Sequence, residues 1–196
     1  MNKNNPQNNA SSELVLTLRK KIVRDYGTLN KILRGLRLAG YKIVLTIGSW
    51  DMLHIGHVRY LIAGKEKGNI LVVGTDSDRV VKKTKGAHRP IIPEDERMEM
   101  LSYQLPVDFV TRIDDVDKKG QWKCGLLRRI KPDVFIAVKG DSYSPKQKQE
   151  IRKYCNKLVV LPRQAENTSS TAIIQEALKK NLSVMMSLLD TRGGKS

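Results

Sequence analysis

Five short apolar runs recur along the chain: residues 43–47, 70–73, 107–110, 134–138 and 158–161. Most lack the polar alternation of a half-exposed strand, so they read as strands buried on both faces, the mark of a parallel sheet. Helical patterns fall between them, at about 56–67, 94–104, 121–130 and 145–155. Alternation of this kind demands crossover helices on both sides of one sheet. The expected fold is therefore α/β, a doubly wound, Rossmann-like parallel sheet of five strands. Ligands in such sheets sit beyond the carboxyl ends of the strands, where the strand order reverses.

The flanks read differently. Residues 1–12 are rich in Asn and suggest a disordered lead without a hydrophobic signal segment. Residues 13–40 read as one or two amphipathic helices, a helical extension packed on the main domain, with Gly27 and Gly40 as plausible stops. The nucleotide-handling domain is expected over 41–180. A C-terminal helix and tail would follow over 181–196. The apolar side of Leu182, Val184, Met185, Leu188 and Leu189 is read first as core packing, with a homodimer contact as the second possibility.

Charge and cysteine content narrow the function classes. Lys and Arg number 36 against 20 Asp and Glu, a net charge of +16. The excess favours anionic ligands. The basic residues are spread along the chain and aromatics are only 5%, so nucleic acid is a poor candidate for the primary partner. Two cysteines make neither a disulfide framework nor a structural zinc site and fit a reducing cytoplasm. No apolar run approaches the ~20 residues of a membrane span.

Chemistry concentrates where the first run ends. Residues 48–57 read Gly-Ser-Trp-Asp-Met-Leu-His-Ile-Gly-His. A glycine turn there leads into a helix whose first turn carries His54 and His57 on one side. A helix start offers unpaired N–H groups and a positive dipole end, and imidazole N–H groups add donors to phosphate oxygens. Gly48 and Gly56 allow close backbone approach. Two other readings of an H-x-x-H pair stand beside this one: satisfied structural histidines, or metal ligation with Asp51 as third ligand.

Three further segments carry polar chemistry at strand or helix ends. Residues 74–97 combine a strand end, a short helix, the basic loop Lys85-Gly-Ala-His-Arg89-Pro-Ile-Ile-Pro93 and an acidic helix start. Residues 139–143 read Lys-Gly-Asp-Ser-Tyr after the fourth run. Residues 167–174 read Asn-Thr-Ser-Ser-Thr-Ala-Ile-Ile, an N-cap pattern that also offers hydroxyls to a phosphate.

The 48–57 stretch resembles the G-x-F-D-x-x-H-x-G-H signature of the nucleotidyltransferases related to cytidylyltransferases, with Trp50 in place of Phe. Residues 85–93 resemble the K-G-x-x-R-P-I-x-P segment of heptose-phosphate adenylyltransferases and their cytidylyltransferase relatives. Residues 138–143 are similar to V-K-G-G-D-Y, with one glycine missing and Ser142 between Asp141 and Tyr143. Residues 168–173 resemble the I/R-S-T-T-x-I motif that closes the nucleotide site. The resemblance covers about residues 42–176.

It implies transfer of a nucleoside monophosphate to a phosphorylated acceptor, with pyrophosphate leaving. His54, His57 and Lys85 would be catalytic. Ile47, Gly48, Ser49, Trp50, Asp51, Gly56, Arg89, Lys139, Asp141, Ser169, Ser170 and Thr171 would contact the nucleotide, and Arg97 would be structural. Mg²⁺ would travel with the triphosphate, with no dedicated protein metal site. ATP and a sugar phosphate such as heptose 1-phosphate are favoured. A CTP enzyme using glycerol 3-phosphate or an amino-alcohol phosphate comes next, then an FMN adenylyltransferase of archaeal type. A nucleotide- or RNA-binding module without turnover is the alternative of another class.

Overall fold

The computed structural model describes residues 6–140 and 143–193, with side chains from 13 to 140 and 143 to 186. The chain runs α1 (Pro6–Arg19), α2 (Tyr26–Leu38), β1 (Ile43–Gly48), α3 (Ile55–Lys65), β2 (Ile70–Asp76), α4 (Asp78–Lys85), α5 (Glu94–Ser102), β3 (Phe109–Ile113), α6 (Gly125–Ile130), β4 (Val134–Val138), α7 (Pro145–Arg152), β5 (Lys157–Leu161) and α8 (Ser170–Gly193). All five strands pair in parallel in the order β3-β2-β1-β4-β5. The order reverses at β1, so the crevice opens beside the strand that carries the glycine turn.

Each apolar run supplies both faces of the sheet. Ile43 and Leu45 of β1, with Val72 of β2, enter one core with Leu126 and Leu127 of α6. Val44 of β1 and Leu71 and Val73 of β2 enter the other, with Leu61 of α3 and Met98 and Leu101 of α5. This double burial explains the missing polar alternation.

The 13–40 region does more than lie on the domain. Leu29 and Leu33 of α2 are fully buried in the first core. Residues 21–23 continue the sheet beyond β3, with Val110 N–H donating to Lys21 O at 2.8 Å and Val23 N–H to Val110 O at 2.8 Å. Gly40 ends the α2 region at φ +87°, as glycine allows. Gly27, expected as a stop, is the second residue of α2 instead, because Asp25 caps that helix through the Thr28 N–H. Residues 6–12, expected in a disordered lead, belong to α1, and residues 1–5 lie outside the described residues.

Two expectations for the rest of the chain are revised. The 121–130 helix begins only at Gly125, because Cys124 takes a left-handed conformation at φ 61°. On the apolar side of α8, Leu182, Val184 and Met185 are exposed rather than in the core, as is Met186, and the side chains of Leu188 and Leu189 lie outside the described residues. No described helix is long and apolar enough to cross a membrane.

Candidate functional site

β1 ends in a turn that the backbone strains to make. Trp50 and Met52 sit at φ 54° and 52°, a left-handed region that costs non-glycine residues of order 1–3 kcal/mol each. Packing holds Trp50 there. Its ring is buried, and its indole N–H donates to Gly74 O of β2 at 2.9 Å. A phenylalanine could not make that bond.

The turn delivers the chain into α3, and two histidines shape its start. His54 is the N-cap and His57 lies three residues on. Gly56 N–H donates to His54 Nδ1 at 3.2 Å, and His54 N–H points to His57 Nδ1 at 3.4 Å. The rings stack with centroids 3.9 Å apart. Because both Nδ1 atoms accept, each neutral ring carries its proton on Nε2, as a donor. Burial, then the nearby His54 and Lys85, pushes His57 down to about 4. Burial and Arg163 also lower His54. Both rings are thus neutral donors at physiological pH, since charging them would require solvation the site denies. Gly56 is required by contact: a Cβ there would lie 3.0 Å from both the Ala165 Cβ and the His54 ring.

The histidines line a cleft of about 690 Å³ across the carboxyl ends of the strands. Ile47, Gly48, Ser49, Trp50, Gly56, Lys85, Arg89, Ser169, Ser170 and Thr171 share its wall. Lys85 ends α4, and its Nζ donates to Ser49 Oγ at 2.6 Å. Burial lowers its pKa, and the neighbouring Arg89 adds to that. The start of α8 faces it. Ser169 Oγ accepts from Ala172 N–H at 3.1 Å, so the N-cap reading of this serine holds. Ser170 Oγ donates to Asp51 O at 2.5 Å and ties α8 to the glycine turn. Ser170 thus spends its one proton on the turn, whereas the Ser169 hydroxyl keeps its proton and, with the backbone N–H groups of the first turn of α8, remains a donor for an anion.

Asp51 and Lys139 stand apart from the cleft wall. The Asp51 carboxylate is fully buried off the cleft wall. It accepts from Arg89 Nε at 2.7 Å, from Ile91 N–H at 3.0 and 3.1 Å and from Ile92 N–H at 3.0 Å. With its oxygens occupied in this way it holds the 89–92 loop in place. Lys139 is exposed and off the wall, where its N–H bonds Leu161 O. Asp141 lies outside the described residues. Arg97 is structural as expected: fully buried, it bonds Ile92 O, Ser49 O and Asp78 Oδ1 and so braces the same turn.

The cleft also contains residues that sequence reasoning passed over. Asp76 ends β2; Lys119, Gln121 and Trp122 come from the loop after β3; Gln147 comes from α7. The described residues contain no group of three or more His, Cys, Asp or Glu placed to hold a metal.

Comparison with known proteins agrees with this geometry. The cytidylyltransferase-like family model matches residues 45–176. The bifunctional protein HldE of Desulfatibacillum aliphaticivorans is 40% identical over 153 residues, covering 76% of this chain and 29% of that protein. HldE of Pseudomonas aeruginosa PAO1 is 35% identical over 176 residues, covering 83% of this chain and 35% of that one. The chain thus spans about a third of the length of these curated relatives. In fold it resembles a lipopolysaccharide core biosynthesis protein from Thermoplasma volcanium, with a TM-score of 0.55 at 24% identity over 63% of this chain and 98% of the other. A pantoate-β-alanine ligase from Francisella tularensis aligns with a TM-score of 0.51 at 15% identity, over 78% of this chain and 74% of that one. A match over most of the chain, carrying the histidine-led helix at the switch point of the sheet, places the protein in the cytidylyltransferase-like family of nucleotidyltransferases.

Proposed function

We propose that this chain transfers AMP from ATP to a sugar 1-phosphate, heptose 1-phosphate in particular, and releases pyrophosphate. The observation that carries the transfer is the pair of neutral imidazoles, both locked with Nε2 as donor at the mouth of the sheet. The choice of ATP and a heptose phosphate rests on the likeness of the 85–93 and 168–173 segments to heptose-phosphate adenylyltransferases. The 30–40% identity to HldE proteins agrees with that choice.

An oxygen of the acceptor phosphate attacks the α-phosphorus in line. The new P–O bond forms as the bond between the α-phosphorus and its bridging oxygen breaks, and the electron pair leaves with pyrophosphate. The attacking oxygen is already anionic, so no side chain need remove a proton. Catalysis then consists of positioning and charge stabilisation. His54 and His57 donate through Nε2 to phosphate oxygens as charge shifts toward the leaving group. Lys85, fixed against Ser49, meets the outer phosphates as a point charge. The first turn of α8 receives phosphate oxygens through its N–H groups.

Magnesium, when bound with the triphosphate, supplies neutralisation of its negative charge. The donor set suits an ion carried on phosphate oxygens and water, since Asp76 is the one carboxylate among the described lining residues.

The test is a pyrophosphate-release assay with ATP and CTP against a panel of sugar 1-phosphates, glycerol 3-phosphate and ethanolamine phosphate. Turnover with ATP and a sugar 1-phosphate is expected. Preference for CTP with an alcohol phosphate would replace this reading. Absence of any turnover, with nucleotide still bound, would reduce the chain to a binding module.

A further inference from the structure

Asp76 takes no part in the chemistry above, yet it lines the cleft. Along β2, Ile70 and Val72 face the core beneath α2 and α6, while Leu71 and Val73 face the one beneath α3 and α5. The two-residue repeat of a strand puts Asp76 on the side of Ile70 and Val72. Trp122 belongs to that side, whereas the histidines rise from α3 on the other. The cleft therefore has two arms that meet above β1.

The Asp76 arm is a built wall. Lys83 Nζ of α4 donates to Asp117 O at 3.0 Å and binds the loop to that helix. Asp117 Oδ1 accepts from the Lys119 and Gln121 N–H groups, each at 2.8 Å. The Trp122 indole N–H donates to Asp115 Oδ1 at 2.9 Å, and its ring stacks on Phe135 with centroids 6.0 Å apart. Within this frame the Asp76 carboxylate receives no hydrogen bond from the described residues. Burial pushes its pKa up to about 6, against the pull of Lys85 and Arg97. Half-buried on the cleft wall and unpaired by the protein, this acceptor is open to a donor from a ligand.

The ligand's chemistry follows from charge. Lys83, Lys85 and Lys119 line the same cleft, so an ammonium group would meet three cations for one carboxylate. A neutral, hydroxyl-rich skeleton meets no such repulsion, and its phosphate can point toward Lys85.

We propose that Asp76 is the acceptor-discriminating residue, its carboxylate taking hydrogen bonds from hydroxyls of a sugar phosphate seated between α4 and the loop that carries Trp122. This rests on the sugar-phosphate reading of the reaction. The Asp76→Asn and Asp76→Ala proteins, assayed with ATP, heptose 1-phosphate and its monodeoxy analogues, test it. The expected result is an acceptor KM raised about tenfold or more in both variants, as for loss of a hydrogen bond to a charged group. One deoxy analogue should be penalised by the wild type and no longer by the variants. The Kd for Mg-ATP without acceptor, read by calorimetry, should stay within about twofold, the value that follows from assigning Asp76 no nucleotide contact. Asp76→Asn should melt no lower than the wild type, which secures the fold.

An unchanged acceptor KM in a wild type that does use sugar 1-phosphates overturns this inference alone. So does a change confined to Mg-ATP affinity or to the magnesium requirement, which would make Asp76 a metal or nucleotide contact. A wild type that turns over no sugar 1-phosphate brings down both this inference and the reaction it rests on.

Discussion

The two arms of the cleft are built by opposite means. The histidine arm is local: a glycine turn, a helix start and two side chains bonded to backbone within three residues of themselves. The Asp76 arm is assembled from β2, α4 and the loop after β3, held by contacts such as Lys83 with Asp117 and Trp122 with Asp115 and Phe135. The orientation of the two rings is set by these local bonds, while Trp50, Arg97 and Ser170 anchor the turn to the rest of the fold. A composite wall can change with any of its loops while the chemistry stays constant.

The sharpest way to break the comparison is to remove one ring. His57→Ala should lower kcat by about 10²–10³-fold, as for loss of one preorganised oxyanion donor. Pyrophosphate release at saturating substrate measures it, and near-normal turnover would take His57 out of the mechanism.

Asp51→Ala should act on stability rather than chemistry. It leaves Arg89 and two loop N–H groups without their acceptor, at a cost of about 3 kcal/mol. Urea unfolding reads this loss. An unchanged midpoint with weakened ATP binding would restore Asp51 as a ligand contact.

Lys85→Ala should raise the triphosphate KM and lower kcat together, by about 10- to 100-fold in kcat/KM, the scale of a charged hydrogen bond. Unchanged kinetics would make Lys85 a wall residue only.

Smallest, and most direct as a comparison of the arms, is the pH dependence of stability. Burial lowers His57 to about 4, below its ordinary value of 6.5, so the unfolded chain binds more protons between those values. Its contribution is present above pH 6.5 and is lost as pH falls toward 4. Asp76 has the opposite sign. Raised from 3.8 to about 6, it binds more protons in the folded state between those values and makes folding more favourable as pH falls through 6. Asp76→Asn should therefore gain stability over the wild type at pH 7, with the gain shrinking toward pH 4. His57→Gln should flatten the acid loss. Urea midpoints at pH 7, 5.5 and 4.5 separate the two, and parallel curves for all three proteins would deny the arms their opposite electrostatics.

Much of the fold could be read along the chain because its signals are short-range. The runs at 43–47, 70–73 and 134–138 became β1, β2 and β4, since a strand buried on both faces must be apolar throughout. The β3 run shifted to Phe109–Ile113, because polar Thr111 and Arg112 hid its second half. Gly27 misled as a stop because the Asp25 cap that starts α2 dominates there. At the site, Ser170 read as part of a helix start that could also hold phosphate, and only the fold shows its hydroxyl bonded to Asp51 O. Asp51 looked like a ligand because it stands beside the histidines in sequence; its bonds run to residues 89–92, some 40 positions away. Trp122 and Gln121 carry no motif that would have flagged them.

The sequence by itself determined the strands, their parallel pairing and the paired imidazoles at the start of a helix. Each depends on residues a few positions apart, whose spacing fixes which way they face. Only the tertiary structure decided that Asp51 is a buried brace, that α2 belongs to the core and that Asp76 faces a cleft shared with Trp122. Burial and partnership depend on what the folded chain brings near from a distance, and those set the charge, solvation and reach of each group.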